Sequence, residues 1–80
     1  MIDRKEIEDT VIRLAKRHVS NGTAVTLESK LIDDLRLGHD YMYLLIDLDR
    51  KYGQKIPPAE FESTRTLLDL VDLYYKHLRG

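Results

Sequence analysis

"GHDYMYLLIDLDRKYG", residues 38–53, contains a helix-length apolar pattern between two glycines, and the other elements are best placed relative to it. Its apolar side chains recur every three or four positions, the spacing of one helical face. We predict a helix that starts near His39 or Asp40 and stops at Gly53. Met42 and Ile46 form a second stripe beside the main one, so the apolar arc is wider than one core contact requires. The main stripe comprises Tyr41, Leu44, Leu45, Leu48 and Tyr52.

Downstream of this helix, "IPPAEF" (56–61) contains two prolines, which end a helix but are tolerated in the first turn of a new one. We predict a short helix over Ala59–Glu62. A last helix is predicted from Thr66, whose hydroxyl forms a weak capping box with Asp69. Its amphipathic stripe is regular and consists of Leu67, Leu70, Val71, Tyr74 and Leu78.

Upstream, residues from about Asp3 to His18 show a third helical pattern, with Ile7, Val11, Leu14, Ala15 and His18 on one side. Asn21 and Gly22 provide turn chemistry that ends it. The stretch from Thr23 to Leu37 has several leucines but no sustained period. We predict a long structured loop there, held to the core by those leucines.

These elements predict an all-α fold: a small four-helix bundle of three main helices and one short helix, with the long loop between the first two. Eighty residues allow one modest core, so we predict a single domain over residues 1–80. We expect a monomer.

Composition excludes several classes of function. With 13 basic and 14 acidic residues the net charge is −1, which provides no field for nucleic acid or an anionic membrane, and we predict neither as a partner. The absence of cysteine excludes disulfides and thiolate metal sites. A charged N-terminal stretch and short apolar runs predict a cytoplasmic protein.

Three strings carry a family resemblance over nearly the whole length: "TLESKLIDDL" (26–35), "LLIDLDRKYGQKIP" (44–57) and "TLLDLVDLYYKHL" (66–78). In this order and at this spacing the sequence resembles acyl and peptidyl carrier proteins. The resemblance implies a bundle of acyl-carrier-protein type. It also implies a serine at the start of the second helix, carrying a phosphopantetheine arm that holds acyl chains as thioesters.

The attachment position of the family is changed in this sequence. Counting forward from Asp34 and Leu35 places it at His39, whereas counting back from Gly53 and Pro57 places it at Gly38. No serine or threonine occurs from residue 30 to residue 62. Neither glycine nor imidazole forms the stable phosphodiester of the family. We therefore predict that no cofactor is attached and that the phosphopantetheine site is degenerate.

The register in which "LGHD" matches the peptidyl-carrier string "GGHS" would place Asp40 at the serine. It shifts the downstream glycine and proline by two residues, so we reject it. Aspartate would be inert there in any case.

Partner recognition in the family uses an acidic second helix, and this sequence matches only part of that pattern. Tyr43, Arg50 and Lys51 occupy positions where the family has acids, which changes the expected partner set. The resemblance also places two apolar side chains on the contact side, although they could equally be peripheral core. The predicted partner-binding residues are Asp40, Met42, Tyr43, Ile46 and Asp49.

We predict no catalytic or metal site. His39 and Asp40 are adjacent in a helix and so point to different sides. His18 and His77 have no third ligand at suitable spacing. A bundle of this size without a visible nucleophile, base and oxyanion pocket is not expected to be an enzyme.

The predicted function is protein–protein interaction within a carrier-dependent system of fatty-acid, polyketide or related acyl transfer. The expected partners are enzymes of that system. The alternative is a working carrier of thioester intermediates. Its arm would be attached to another hydroxyl, of which Ser29 and Ser63 are the nearest in sequence. Otherwise, the serine of the family has been replaced in this chain.

Overall fold

The computed structural model of the chain describes residues 3–20 and 22–79. In these ranges the chain forms three α-helices and one 3-10 helix, and no strand. They are α1 (Arg4–Lys16), α2 (Asp40–Tyr52), the 3-10 helix (Pro58–Phe61) and α3 (Leu67–Arg79). The prediction of an all-α bundle with three main helices and a short one is confirmed.

The helix ends follow local chemistry that was visible in the sequence. Asp3 caps α1 by accepting a hydrogen bond from the Lys5 amide at 3.1 Å, and α1 ends two residues before the predicted His18. Gly53 ends α2 in the left-handed conformation, at φ 62°, as predicted. The predicted turn at Asn21 lies outside the described residues, while Gly22 beside it has a φ of 88°.

The predicted short helix forms one residue earlier than expected and as a 3-10 helix. Pro58 lies in its first turn, where its missing amide hydrogen and fixed φ cost nothing. Glu60 of this helix accepts a hydrogen bond from the His77 imidazole at 2.8 Å. The 3-10 helix is thereby connected to the end of α3.

The core lies where α1 packs against α3 and α2. The predicted stripes form much of it, although His18, Tyr41, Leu45, Tyr52 and Leu78 are only half-buried. The loop between α1 and α2 contributes three buried leucines, which confirms its predicted anchoring. The buried side chains include Ile7, Val11, Leu14, Leu31, Leu35, Leu37, Leu44, Leu48, Leu67, Leu70, Val71 and Tyr74.

The loop is also hydrogen-bonded to the start of α3. The amide of Leu67 donates to the Ser29 carbonyl at 3.3 Å, and that of Leu68 donates to the Leu27 carbonyl at 2.9 Å. The Leu31 amide donates in return to the Arg65 carbonyl at 2.9 Å. Since the first amides of a helix have no partner within it, the loop satisfies two of them and is fixed in place.

The predicted capping box of α3 is present. The Asp69 carboxylate accepts hydrogen bonds from the amides of Arg65 at 2.8 Å and Thr66 at 3.0 Å. The Thr66 hydroxyl accepts from the Asp69 amide at 3.3 Å. These amide hydrogen bonds favour the charged carboxylate, the one from Arg65 most, and hold the pKa of Asp69 below its ordinary value.

Asp69→Ala should lower the free energy of unfolding by about 1 kcal/mol at neutral pH, the usual effect of losing such a cap. Because the pKa of Asp69 is lower in the folded chain, its carboxylate stabilises the fold above the unfolded pKa of about 3.9. That stabilisation is lost as the pH falls through the lower folded pKa. Urea denaturation at decreasing pH should show the difference from the native chain shrinking below about pH 4.

Asp33→Ala is the matched control, because Asp33 is exposed and makes no side-chain hydrogen bond to any described residue. It should change stability by less than about 0.5 kcal/mol. If the difference in unfolding free energy between Asp69→Ala and the native chain stays the same in acid, the cap does not act through its charge.

Candidate functional site

The start of α2 is built by backbone rather than by a capping side chain. Buried Leu35 and Leu37 fix the preceding loop, with Arg36 between them at φ 51° and Gly38 after them at φ 49°. The Asp40 amide then donates to the Leu37 carbonyl at 2.7 Å. The amides of Tyr41 and Met42 likewise donate to the backbone carbonyls three residues earlier. No side-chain oxygen is therefore needed to cap the start of the helix.

Both candidate attachment positions lie at this exposed turn. His39 occupies the N-cap position of α2 with helical backbone angles, φ −64° and ψ −27°, and its side chain makes no capping hydrogen bond. Gly38 has open space where a Cβ would lie, but its left-handed backbone strains any other residue. His39 is therefore the position from which an unstrained side chain would project at the start of the helix.

The neighbouring hydroxyl of Tyr41 is held inside the fold. It donates to the Thr64 hydroxyl at 2.7 Å, because that hydroxyl donates its own hydrogen to the Phe61 carbonyl at 2.6 Å. Burial raises the pKa of the Tyr41 phenol. This pair connects the first turn of α2 to the segment before α3.

The two serines considered as alternatives differ in environment. Ser29 is buried, and its hydroxyl accepts a hydrogen bond from the Thr26 amide at 2.9 Å. Ser63 is exposed and follows the 3-10 helix, on a segment separate from the start of α2.

The outer face of α2 carries an apolar patch, which we define as Met42, Tyr43 and Ile46; their side chains are 63%, 58% and 42% exposed. The opposite face, with Leu44 and Leu48, is fully buried. Isolated exposed apolar residues are ordinary, but three within two turns form a continuous surface.

A groove of about 370 Å³ lies between α2 and the 3-10 helix. Met42 and Ile46 form its rim on the α2 side, and its lining includes Leu45, Ile56 and Phe61. The patch therefore continues into a concave apolar surface, which is the shape that accepts an inserted side chain.

Two of the three acids of α2 are hydrogen-bonded to other elements of the fold. The His18 imidazole Nε2 donates to Asp47 Oδ2 at 2.9 Å, which ties the end of α1 to α2. The Tyr74 hydroxyl donates to Asp49 Oδ1 at 2.5 Å. Burial is the main reason why the pKa of Tyr74 is raised, and the hydrogen bond to this carboxylate raises it further. Sequence reasoning missed both contacts, since no local pattern marks them.

Of the five predicted partner-binding residues, the structure brings four to the surface. Asp40, Met42, Tyr43 and Ile46 are exposed, whereas Asp49 is half-buried and bonded to Tyr74. Contact of any of the five with a partner stays a prediction.

The described parts of the chain contain no group of three histidine or acidic side chains placed to bind a metal ion. Among the described helices, none combines the length and the apolar character needed to cross a bilayer.

Comparison with known proteins adds one relative and no family model. No family model matches the chain. The acyl carrier protein of Thermotoga maritima is 32% identical over 80 residues, covering 98% of this chain and 99% of that protein. The similarity extends over the whole bundle, including α2 and its flanking loop. With this relative, its three α-helices and its 3-10 helix, the chain belongs to the acyl carrier protein family.

Proposed function

We propose that this protein has the shape of a carrier but no phosphopantetheine arm, and that it acts by binding other proteins through α2. The observation that carries this proposal is the combination at α2 of an exposed apolar patch and a start without a serine. It would compete with, regulate or scaffold the carriers of a fatty-acid, polyketide or related acyl-transfer system. It has no catalytic role of its own.

The chemistry at the start of α2 supports the absence of an arm. Attachment needs a hydroxyl oxygen that attacks the pyrophosphate of coenzyme A. Gly38 offers no nucleophile, and the His39 imidazole would give an unstable phosphoramidate rather than a phosphodiester. The residues present at this turn therefore do not fit the group.

The apolar patch supports binding to proteins. Burying an exposed Met or Ile side chain contributes about 1 kcal/mol or more, depending on the area covered. A few such anchors, surrounded by contacts that exclude water, carry most of the energy of a typical interface. Met42 and Ile46, on the rim of the groove, are the candidate anchors.

A working carrier with its arm elsewhere is the second candidate. Membership of the family favours it, and Ser63 is exposed as an attachment residue must be. Buried Ser29 is a poorer acceptor, because its hydroxyl is already hydrogen-bonded. Ser63 lies after the 3-10 helix and outside α2.

Intact mass and affinity capture together test the proposal. We expect the mass of protein purified from its native host to equal that of the bare chain. It should stay unchanged after incubation with coenzyme A and a broad-specificity phosphopantetheinyl transferase. Affinity capture from the same host should recover an enzyme of acyl transfer, and Met42→Glu or Ile46→Glu should abolish that recovery.

Ala24→Glu is the control for capture, because it adds the same charge at an exposed loop position outside α2. An added phosphopantetheine on the native chain, mapped to Ser63, would establish the working carrier instead. Capture that survives both α2 substitutions would show that the patch is not the binding surface.

A further inference from the structure

The exposed face of α2 carries opposite charges at its two ends. Asp40 is exposed in the first turn, and Arg50 is exposed in the last turn. Neither forms an ion pair with another residue that the structure describes. The apolar patch of Met42, Tyr43 and Ile46 lies between them along the helix. The face is therefore acidic at one end, apolar in the middle and basic at the other end.

Two further acids, Asp49 and Glu62, line the groove beside this face. The Asp49 carboxylate is engaged within the fold, because it accepts a hydrogen bond from α3. Glu62 is exposed and belongs to the segment that Thr64 connects to Tyr41, in the first turn of α2. Arg65 follows on this segment, but it lines a different cavity, next to the loop between α1 and α2. Glu62 therefore adds negative charge at the acidic end of the face.

Two copies of this face complement each other when their α2 helices run antiparallel. In a two-fold contact, each residue that meets a second one is met by it in return. A contact centred between Tyr43 and Ile46 places Tyr43 of each copy against Ile46 of the other. Asp40 and Arg50 lie three and seven positions from Tyr43, so both follow its side of the helix. Each lies about 7–8 Å from the centre along the axis, which brings Asp40 of one copy level with Arg50 of the other.

We propose that the α2 face binds a second copy of this chain through an antiparallel contact between the two α2 helices. A wholly acidic or wholly basic partner would meet a like charge at one end of the face, and like charges at an interface suppress binding. A parallel pair would place Asp40 beside Asp40 and Arg50 beside Arg50. The antiparallel second copy supplies the opposite order of charges by symmetry, with one Asp40–Arg50 pair at each end.

Met42 provides a second apolar contact in this arrangement. It lies on the groove side of the patch, in line with Ile46 and Asp49, which are four and seven positions further along the helix. In the antiparallel register, Met42 of each copy lies against the Ile46 to Asp49 wall of the other copy's groove. A methionine side chain adapts to irregular apolar gaps, so this groove can accept it.

The contact is small, and small interfaces are weak or transient. The monomer expected from the sequence is then the form at low concentration, and the dimer forms as the concentration rises. The dimer covers Met42 and Ile46, the candidate anchors for other proteins, so self-association and partner binding exclude each other. That consequence rests on the proposed function, whereas the dimer itself requires no other protein.

Sedimentation equilibrium of the full-length protein at low salt measures self-association. We expect reversible dimerisation with a Kd of about 0.1 mM, as for a small contact with few anchors. Amide chemical shifts recorded on dilution should change most at Met42, Tyr43 and Ile46. These shifts identify the face, and the sedimentation data give the number of copies.

Charge reversal at the two ends of the face tests the register. Asp40→Arg and Arg50→Asp each replace both attractive pairs of the dimer with repulsive ones. Each variant alone should have a Kd about tenfold higher, the combined scale of two exposed charge pairs. An equal mixture of the two variants should form a heterodimer at least as tight as the native dimer, since opposite charges then meet at both ends. A variant that had merely lost its fold could not be rescued by mixing.

Lys51→Asp is the matched control for Arg50→Asp, because it changes the net charge equally. Lys51 is exposed one position further on, but it lies on the α1 side of α2, beside Glu6 and Asp9. This variant should keep the native Kd within about twofold. Its mixture with Asp40→Arg has the same net charges as the rescued mixture but restores a pair at one end only, so it should associate more weakly.

Four results would overturn the inference. The first is a native chain that stays monomeric at about 1 mM, well above the expected Kd. The second is an equal loss of association in Lys51→Asp and Arg50→Asp, and the third is the absence of a heterodimer in the mixture of charge-reversed variants. The fourth is a set of dilution shifts centred outside the apolar patch. Failure of affinity capture to recover an enzyme would contradict the proposed function and leave the dimer standing, because the sedimentation samples contain only this protein.

Discussion

Tyr74→Ala should lower the free energy of unfolding by about 3–5 kcal/mol, the usual cost of removing a large aromatic side chain from a core. Tyr74 is fully buried in α3. Its ring lies 6.0 Å from the Tyr52 ring and 6.4 Å from the Phe61 ring, measured between centroids. One side chain thus joins α3, α2 and the 3-10 helix. Domains of this kind have a total stability of about 5–15 kcal/mol, so the variant should lose a large fraction of it.

Tyr74→Phe separates the contribution of the hydroxyl from that of the ring. It keeps the packing but removes the hydrogen bonds to Asp49 Oδ1 at 2.5 Å and to the Leu45 carbonyl at 3.4 Å. Because the Asp49 carboxylate is half-buried, losing its donor should cost about 1–3 kcal/mol. Tyr74→Ala should lower the free energy of unfolding clearly more than Tyr74→Phe does.

Urea denaturation followed by circular dichroism measures both variants. Tyr43→Ala is the control, because Tyr43 is a tyrosine of α2 that is 58% exposed. It should change stability by about 0.5 kcal/mol or less. If Tyr74→Ala costs no more than Tyr43→Ala, then the aromatic contacts around Tyr74 do not hold the three elements together.

The helices could be predicted because their signals are local. Apolar residues at helical spacing identified α1, α2 and α3, while Gly53, the prolines and the Thr66 cap marked boundaries within about two residues. The short helix was predicted one residue too late, and its 3-10 type was not predicted. The 3-10 form differs from an α-helix by one residue in its hydrogen-bonding distance, which four residues cannot signal.

The contacts that shape the candidate site could not be predicted, because they join residues far apart in sequence. Asp47 and His18 are 29 positions apart, and Asp49 and Tyr74 are 25 apart. A pattern search therefore treats both aspartates as surface acids. The hydrogen bonds between the loop and the start of α3 could not be predicted for the same reason, since they form only once α3 has packed. The wide apolar arc left Met42 and Ile46 equally open to exposure or to a place in the peripheral core, and the structure shows both exposed.

We propose that the native chain accepts no phosphopantetheine, and on that proposal His39→Ser should change the modification from none to measurable. The substitution places a hydroxyl at the exposed N-cap position of α2, where the backbone is already helical and the original side chain makes no capping bond. The fold should be unaffected, because the first amides of α2 bond to backbone carbonyls. Incubation with coenzyme A and a broad-specificity transferase, followed by intact mass, measures the gain.

Gly38→Ser is the comparison that decides which of the two counted positions matches the serine of the family. Serine at φ 49° carries a strain of about 1 kcal/mol and projects from a left-handed turn, so we expect much slower modification than at residue 39. His39→Ala should stay unmodified. Equal or faster modification of Gly38→Ser would favour the position counted back from Pro57.

If neither serine variant gains mass, the missing oxygen does not alone exclude the arm. The altered charges of α2, Arg50 and Lys51 among them, must then keep the transferase away, and restoring Glu at both positions in the His39→Ser chain should bring the modification back.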